Sequence, residues 1–160
     1  MGLQRNRGVN LPLLSIFSHE GFSVSVHAND YDVEFDRAFY NKVKLSKEFT
    51  TLYLDFDDCL LVDGHLLNTD VLKLVGQFRN RKVPVILISR HAGDLEAKLA
   101  ELGVRGLFDE VIHLRKGEPK TVHMTDANGV LIDDSFKERL DSLAIGVASL
   151  GPESVEALLN

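Results

Sequence analysis

Thr50-Thr51-Leu52-Tyr53-Leu54-Asp55-Phe56-Asp57-Asp58-Cys59-Leu60-Leu61 is the stretch that decides the fold. A run of β-branched, aromatic and apolar residues stops at two aspartates spaced i, i+2, the pattern of a buried strand that delivers carboxylates to a loop. Residues two apart in an extended chain project to the same side about 6–7 Å apart, so Asp55 and Asp57 can face one small ligand while Phe56 turns away. Two ionised carboxylates about 4 Å apart repel by about 4 kcal/mol at an effective dielectric of 20, so the pair calls for a cation or a shared proton. A lone Asp-x-Asp can also merely open a turn or cap a helix, and the rest of the chain decides between the two.

Downstream, strand and helix patterns alternate, the signature of a parallel sheet with crossover helices. Leu60 to Leu67 is a short excursion with an Asp63-Gly64 turn signal. Asn68 or Thr69 can cap a helix carrying Val71, Leu72, Leu74, Val75 and Phe78 on one face. Lys82 to Ser89 reads as a second buried strand, with Pro84 tolerable only near its start. Asp94 to Leu102 reads as a helix stopped by Gly103, and Glu110 to Leu114 as a third strand. Gly129 to Ile132 is a fourth strand closed by Asp133-Asp134, and Ser135-Phe136-Lys137-Glu138 has the spacing of a capping box. Leu143 to Ser149 supplies a fifth strand, and Gly151-Pro152-Glu153 opens a short terminal helix. In open parallel sheets, sites lie outside the carboxyl ends of the strands, so Asp55, Ser89 and Asp133-Asp134 are candidates for one pocket.

Upstream, Leu11 to Phe17 has helical apolar spacing with Gly21 as its stop, and Phe22 to His27 alternates like a strand with one exposed face. After a turn at Asn29-Asp30-Tyr31-Asp32, Val33 to about Leu45 reads as a weaker helix whose apolar members include Phe35, Phe39 and Val43. The expected organisation is therefore an N-terminal α/β extension over residues 1–49 (helix, strand, helix), packed on the core or left from something longer, and a main domain over residues 50–160. With 44% hydrophobic and 26% charged residues the chain suits a globular class, and 160 residues allow a real core. A net charge of -6 argues against general nucleic-acid binding through a basic surface. One cysteine, Cys59, precludes an internal disulfide, and no apolar run is long enough for a membrane span or a secretory signal, so a cytoplasmic address is the expectation.

From about Thr50 to Leu159 the chain resembles the haloacid dehalogenase-like superfamily of phosphatases and phosphotransferases. Its first motif, Asp-x-Asp-x-Thr after a hydrophobic strand, is matched by Leu54-Asp55-Phe56-Asp57-Asp58-Cys59; its second, Ser or Thr after another strand, by Val85-Ile86-Leu87-Ile88-Ser89. A lysine ahead of the fourth strand can be Lys116 or Lys120, with Lys120 preferred because it opens the segment leading to that strand. The closing acidic pair is Asp133-Asp134. The resemblance implies a three-layer α/β/α Rossmann-like domain with a mainly parallel five-stranded sheet. It implies Asp55 as nucleophile carrying an aspartyl-phosphate, Asp57 as general acid and base, and Ser89 and the lysine as partners of the transferring phosphoryl group. It also implies Mg²⁺ held by Asp55, the main-chain carbonyl of Asp57 and Asp134, with Asp133 supporting or acting through water.

Two positions depart from the pattern. Cys59 stands where the family usually has a threonine that helps orient the acid/base aspartate, and Asp58 replaces a frequent glycine. The intervals Asp57–Ser89 and Ser89–Lys120 leave no room for a cap domain, which implies an open site for a phosphorylated substrate, small or large, with a second subunit or a fused domain as lid. His91, beside the second motif, can contact substrate or be a surface bystander. The alternative reading is a weakly active or non-catalytic domain within a larger biosynthetic assembly, for which Gly8-Val9-Asn10-Leu11-Pro12-Leu13-Leu14 faintly resembles the closing segment of ATP-grasp enzymes. A receiver-type signalling domain is excluded by motif order, since its acidic pair belongs on the first strand, its phosphorylated aspartate on the third and its lysine on the fifth.

Overall fold

The computed structural model describes residues 2–37 and 41–159. In chain order the elements are α1 (Gly2–Asn6), α2 (Leu11–His19), β1 (Val33–Arg37), β2 (Asn41–Leu45), β3 (Thr51–Leu54), β4 (Leu61–Val62), β5 (Leu66–Leu67), α3 (Thr69–Asn80), β6 (Val85–Ser89), α4 (Leu95–Glu101), β7 (Glu110–His113), β8 (Gly129–Ile132), α5 (Phe136–Ala144) and β9 (Ala148–Leu150). Short 3₁₀ turns occupy Arg105–Leu107, Lys120–His123 and Pro152–Leu158.

β3 is buried along its whole length because it is the middle strand of a five-stranded sheet ordered β7-β6-β3-β8-β9, every pair parallel. A parallel strand covered on both faces needs a continuous apolar run, which Thr51–Leu54, Val85–Ser89 and Gly129–Ile132 each supply. On one face Leu52, Leu54, Leu87, Val130 and Ile132 pack with Leu74, Val75 and Phe78 of α3; on the other lie Tyr53, Ile88, Leu131 and Val147. Gly129 is required by packing, since a Cβ there would come within 2.5 Å of the Tyr53 ring. The fold is thus the mainly parallel, helix-flanked α/β architecture expected from the motifs.

The crossover helices start where the side chains can satisfy their first N–H groups. Asn68, Asp94 and Ser135 each cap the helix that follows, accepting from main-chain N–H groups two or three residues on. Ser135 forms only its half of the expected capping box: its own N–H donates to Asp133 Oδ1, and Glu138 pairs with Arg90. The fifth strand is shorter than expected: α5 runs to Ala144, Gly146 adopts a positive φ of 83°, and the strand begins at Ala148.

The first third departs most. The expected helix over 33–45 is an antiparallel hairpin, β1 on β2, with Phe35 opposite Val43 and Val33 opposite Leu45. Val33, Val43 and Leu45 pack against the main core, and burial of one alternating face outweighs a weak helical period. Phe39, assigned to that helix, lies outside the described residues. Phe22–His27, expected as a strand, has no ladder partner among the described residues and stays irregular. The N-terminal segment is tied to the core through Asn29, whose carboxamide donates to Ser149 O at 2.6 Å and accepts from Ser149 N at 2.8 Å. α2 forms as expected, capped by Asn10, but buries no side chain. Leu13, Leu14, Phe17, Phe22, Val24 and Phe136 line an apolar groove of about 540 Å³ that it overhangs. No described helix is long and apolar enough to cross a membrane.

Candidate active site

Register explains why the acidic residues meet. Leu54 is level with Leu87 of β6 and with Ile132 of β8, so Asp55, Ser89 and Asp133 all emerge at one edge of the sheet. Asp55 N still donates to Ile132 O and Asp133 N to Leu150 O, which extends the sheet's ladder to the base of the site and fixes both aspartates. A cavity of about 220 Å³ opens there, lined by Asp55, Asp57, Ser89, Lys120, Asp133 and Asp134 among others.

Lys120 enters from the 3₁₀ turn before β8 and is almost wholly buried. Its Nζ lies 2.7 Å from Asp55 Oδ1 and 2.7 Å from Asp133 Oδ2. Lys116, the other candidate, is exposed in the preceding loop. Asp133 is fully buried, and its second oxygen accepts from Ser135 N at 2.8 Å. Both its oxygens are engaged by protein, while Asp134 sits exposed at the rim. Arg139 fixes the turn beneath them by donating to the main-chain oxygens of both Asp133 and Asp134 at 2.6 Å. Ser89 is buried at the cavity wall.

The charges do not balance. Two buried carboxylates share one buried ammonium, and Asp134 adds a further negative charge beside them. Burial, only partly offset by Lys120 and reinforced by Asp133, pushes the Asp55 pKa up to about 6. Burial likewise raises that of Asp133 against the pull of Lys120. For Lys120 burial acts downward, but its two carboxylate partners outweigh it and the net shift is upward. Asp55, Asp133 and Asp134 each offer a carboxylate oxygen, all within 4.8 Å of one another. Hard oxygen donors carrying excess negative charge suit a small divalent cation such as Mg²⁺, so the residues present fit the metal that the motifs imply.

Asp57 lies at the mouth of the cavity. Its carboxylate is held by His91 Nδ1, 2.9 Å from Oδ1 and 3.1 Å from Oδ2. Cys59 is buried and turned the other way, its thiol donating to Ile132 O at 3.6 Å, and burial pushes its pKa well up. Asp58 takes a positive φ of 54°, is exposed, and lines the same cavity. Arg90 donates to Glu138 Oε1 at 2.8 Å and to Glu118 O at 2.6 Å, pinning the loop after β6 against α5.

The sequence left His91 open between substrate contact and bystander, gave Arg90 no role, and placed Glu138 only in a capping box. The available signal was positional: in a parallel sheet the loops after neighbouring strands are neighbours, so polar residues one or two past Ser89 fall beside those past Asp55.

No protein-family model and no curated protein matches the sequence. Among solved structures, the N-terminal part of a Bacteroides fragilis protein containing a phosphatase domain, complexed with Mg, matches 71% of this chain at 18% identity and a TM-score of 0.50; the match spans 39% of that chain. A HAD-superfamily hydrolase from Ehrlichia chaffeensis matches 62% of this chain and 62% of its own at 16% identity and a TM-score of 0.48. An uncharacterized protein from Corynebacterium glutamicum matches 65% of this chain and 83% of its own at 20% identity and a TM-score of 0.47. A likeness at this level concerns the fold alone, and that to the Bacteroides fragilis domain agrees with the mainly parallel, helix-flanked sheet described above. The likeness of Gly8–Leu14 to ATP-grasp enzymes finds no support in these comparisons.

Proposed function

We propose that the chain is a Mg²⁺-dependent phosphomonoester hydrolase or phosphotransferase that works through an aspartyl-phosphate on Asp55. The observation that carries this reading is the bridging of Asp55 and Asp133 by buried Lys120 at the carboxyl edge of the sheet, with Asp57 at the mouth of the same cavity. A nucleophilic carboxylate must stay ionised in a buried place, and Lys120 supplies the compensating charge. Asp55 attacks phosphorus as the ester P–O bond breaks, and Asp57 donates its proton to the departing oxygen. Asp57 then takes a proton from water as that water displaces Asp55 from the phosphorus. Lys120 and Ser89 hold phosphoryl oxygens in line for both displacements. Asp55, Asp134 and the Asp57 carbonyl would hold Mg²⁺, supported by Asp133. When bound, it neutralises phosphoryl charge that Lys120 alone leaves uncompensated.

The test is turnover of an aryl phosphate with Mg²⁺ by the wild type and by Asp55→Asn. Loss of more than about a hundredfold is expected, since removing the nucleophile removes the covalent route; equal rates would take Asp55 out of the chemistry. With no cap in either interval, the substrate is expected to be screened by a second subunit or a fused domain.

A second reading, a non-catalytic domain of a larger assembly, is favoured by the exposed apolar residues Ile16, Phe17, Phe22 and Val26. Failure of Mg²⁺ with beryllofluoride to raise the unfolding temperature would favour it over hydrolysis.

A further inference from the structure

We propose that His91 is a positioning residue for Asp57: its imidazole, reaching across from the loop after β6, holds the proton-transferring carboxyl in its working orientation. The proposal rests on the phosphomonoesterase reading above.

Asp57 needs such a partner. Its side chain is 46% exposed, so alone it would sample several rotamers at the cavity mouth. The resemblance assigns the orienting task to a hydroxyl two residues on, but the side chain there, Cys59, makes its hydrogen bond into the core with Ile132 O. The donor that does reach the carboxylate is His91 Nδ1, nearly equidistant from both oxygens at 2.9 and 3.1 Å. A single donor shared across both oxygens restrains the position of the carboxyl group.

His91 is itself built in. Its side chain is 17% exposed, and its ring stands edge-on to buried Phe56 at 5.1 Å and 88°. Phe56 is the residue between the two aspartates, so one ring contact ties the imidazole to the loop it serves. The His91 main-chain oxygen accepts from His113 Nε2 at 2.8 Å, from the end of β7. On its other side Arg90 is anchored to Glu118 O and to Glu138. A donor restrained from three directions can hold its acceptor to within the fraction of an ångström that proton transfer requires; misplacement by about 1 Å costs about a hundredfold.

The role predicts a dependence on leaving group. A simple alkyl phosphate cannot depart without a proton from Asp57, whereas 4-nitrophenolate leaves unprotonated. kcat/KM reports events up to the first irreversible step, here transfer to Asp55, and so isolates the acid half of the cycle. For His91→Ala with Mg²⁺, kcat/KM on an alkyl phosphate is expected to fall by about 10–100-fold and on 4-nitrophenyl phosphate by less than about threefold. His91→Asn, which keeps an N–H close to the position of Nδ1, should recover most of the loss. The double variant Asp57→Asn/His91→Ala should be no worse than Asp57→Asn alone, because His91 acts only through Asp57. Stabilisation by Mg²⁺ with beryllofluoride, equal in wild type and His91→Ala, would show an intact phosphoryl pocket and support the assignment.

A uniform loss on both substrates, additivity in the double variant, or no advantage of asparagine over alanine would overturn it. A wild type inert on both esters would overturn the phosphomonoesterase reading and this role with it, an outcome distinct from an active wild type whose variant loses both activities alike.

Discussion

Lys120 stands between two buried carboxylates, and the site's pH behaviour follows from it. Asp55 has its pKa raised to about 6, so between the ordinary carboxylate range and that value the native state keeps a proton the unfolded chain has released. Its contribution to stability therefore declines as pH rises from about 4 through about 6. Removing the ammonium in Lys120→Met leaves two unpaired buried acids, a change that costs about 3–5 kcal/mol when they are ionised. Urea unfolding in metal-free buffer is expected to show a larger deficit at pH 8 than at pH 5, where Asp55, below its raised pKa, is mostly neutral. At this scale Asp55, Ser89 and Asp133-Asp134 were legible because each closes an apolar strand. His91 was not, because nothing in one loop's residues states which other loop it will face.

Elements are fixed to one another by a few hydrogen bonds at their ends. Asp126, in the loop before β8, accepts from Thr50 Oγ1 at 2.7 Å and Thr51 Oγ1 at 2.6 Å, while its own N–H donates to Tyr53 Oη at 3.0 Å. These bonds join the start of β3 to the approach of β8, the two strands whose far ends carry Asp55 and Asp133. The Thr51 and Thr50 hydroxyls hold the Asp126 pKa below its usual value, so this stabilisation is present at neutral pH and is lost as pH falls through the lowered value. Asp126→Ala is expected to cost about 1–3 kcal/mol at pH 7, with the gap to wild type closing as pH falls through that lowered value, as read by chemical denaturation. The βα alternation from Thr50 onward was readable because buried parallel strands are unbroken apolar runs. The 33–45 hairpin was misread although Val33 and Phe35 alternate with polar residues, because a short segment carries both periods weakly and only contact with the core separates them. Phe22, Val24 and Val26 alternate as well, yet alternation makes a strand only where a neighbouring ladder exists to join.

For the molecule as a whole, a net charge of -6 coincides with a local surplus of carboxylates at one edge of the sheet. Mg²⁺ at about a hundred times its dissociation constant should add about 2.7 kcal/mol of stability, raising the unfolding temperature of a chain this size by about 5–10 °C, whereas Asp55→Asn should respond less. Calorimetry with and without EDTA reads both.

The Asn29 clasp acts at this scale too. β9 is an edge strand, and an open row of main-chain donors and acceptors invites a foreign strand to add on. By bonding Ser149 in both directions across 120 residues of sequence, the Asn29 carboxamide occupies that opening as a one-residue substitute strand. Asn29→Asp turns the donor into a second acceptor facing Ser149 O, and at pH 8 it is expected to convert a guarded border into a polymerisation seed, visible as concentration-dependent light scattering that the wild type lacks.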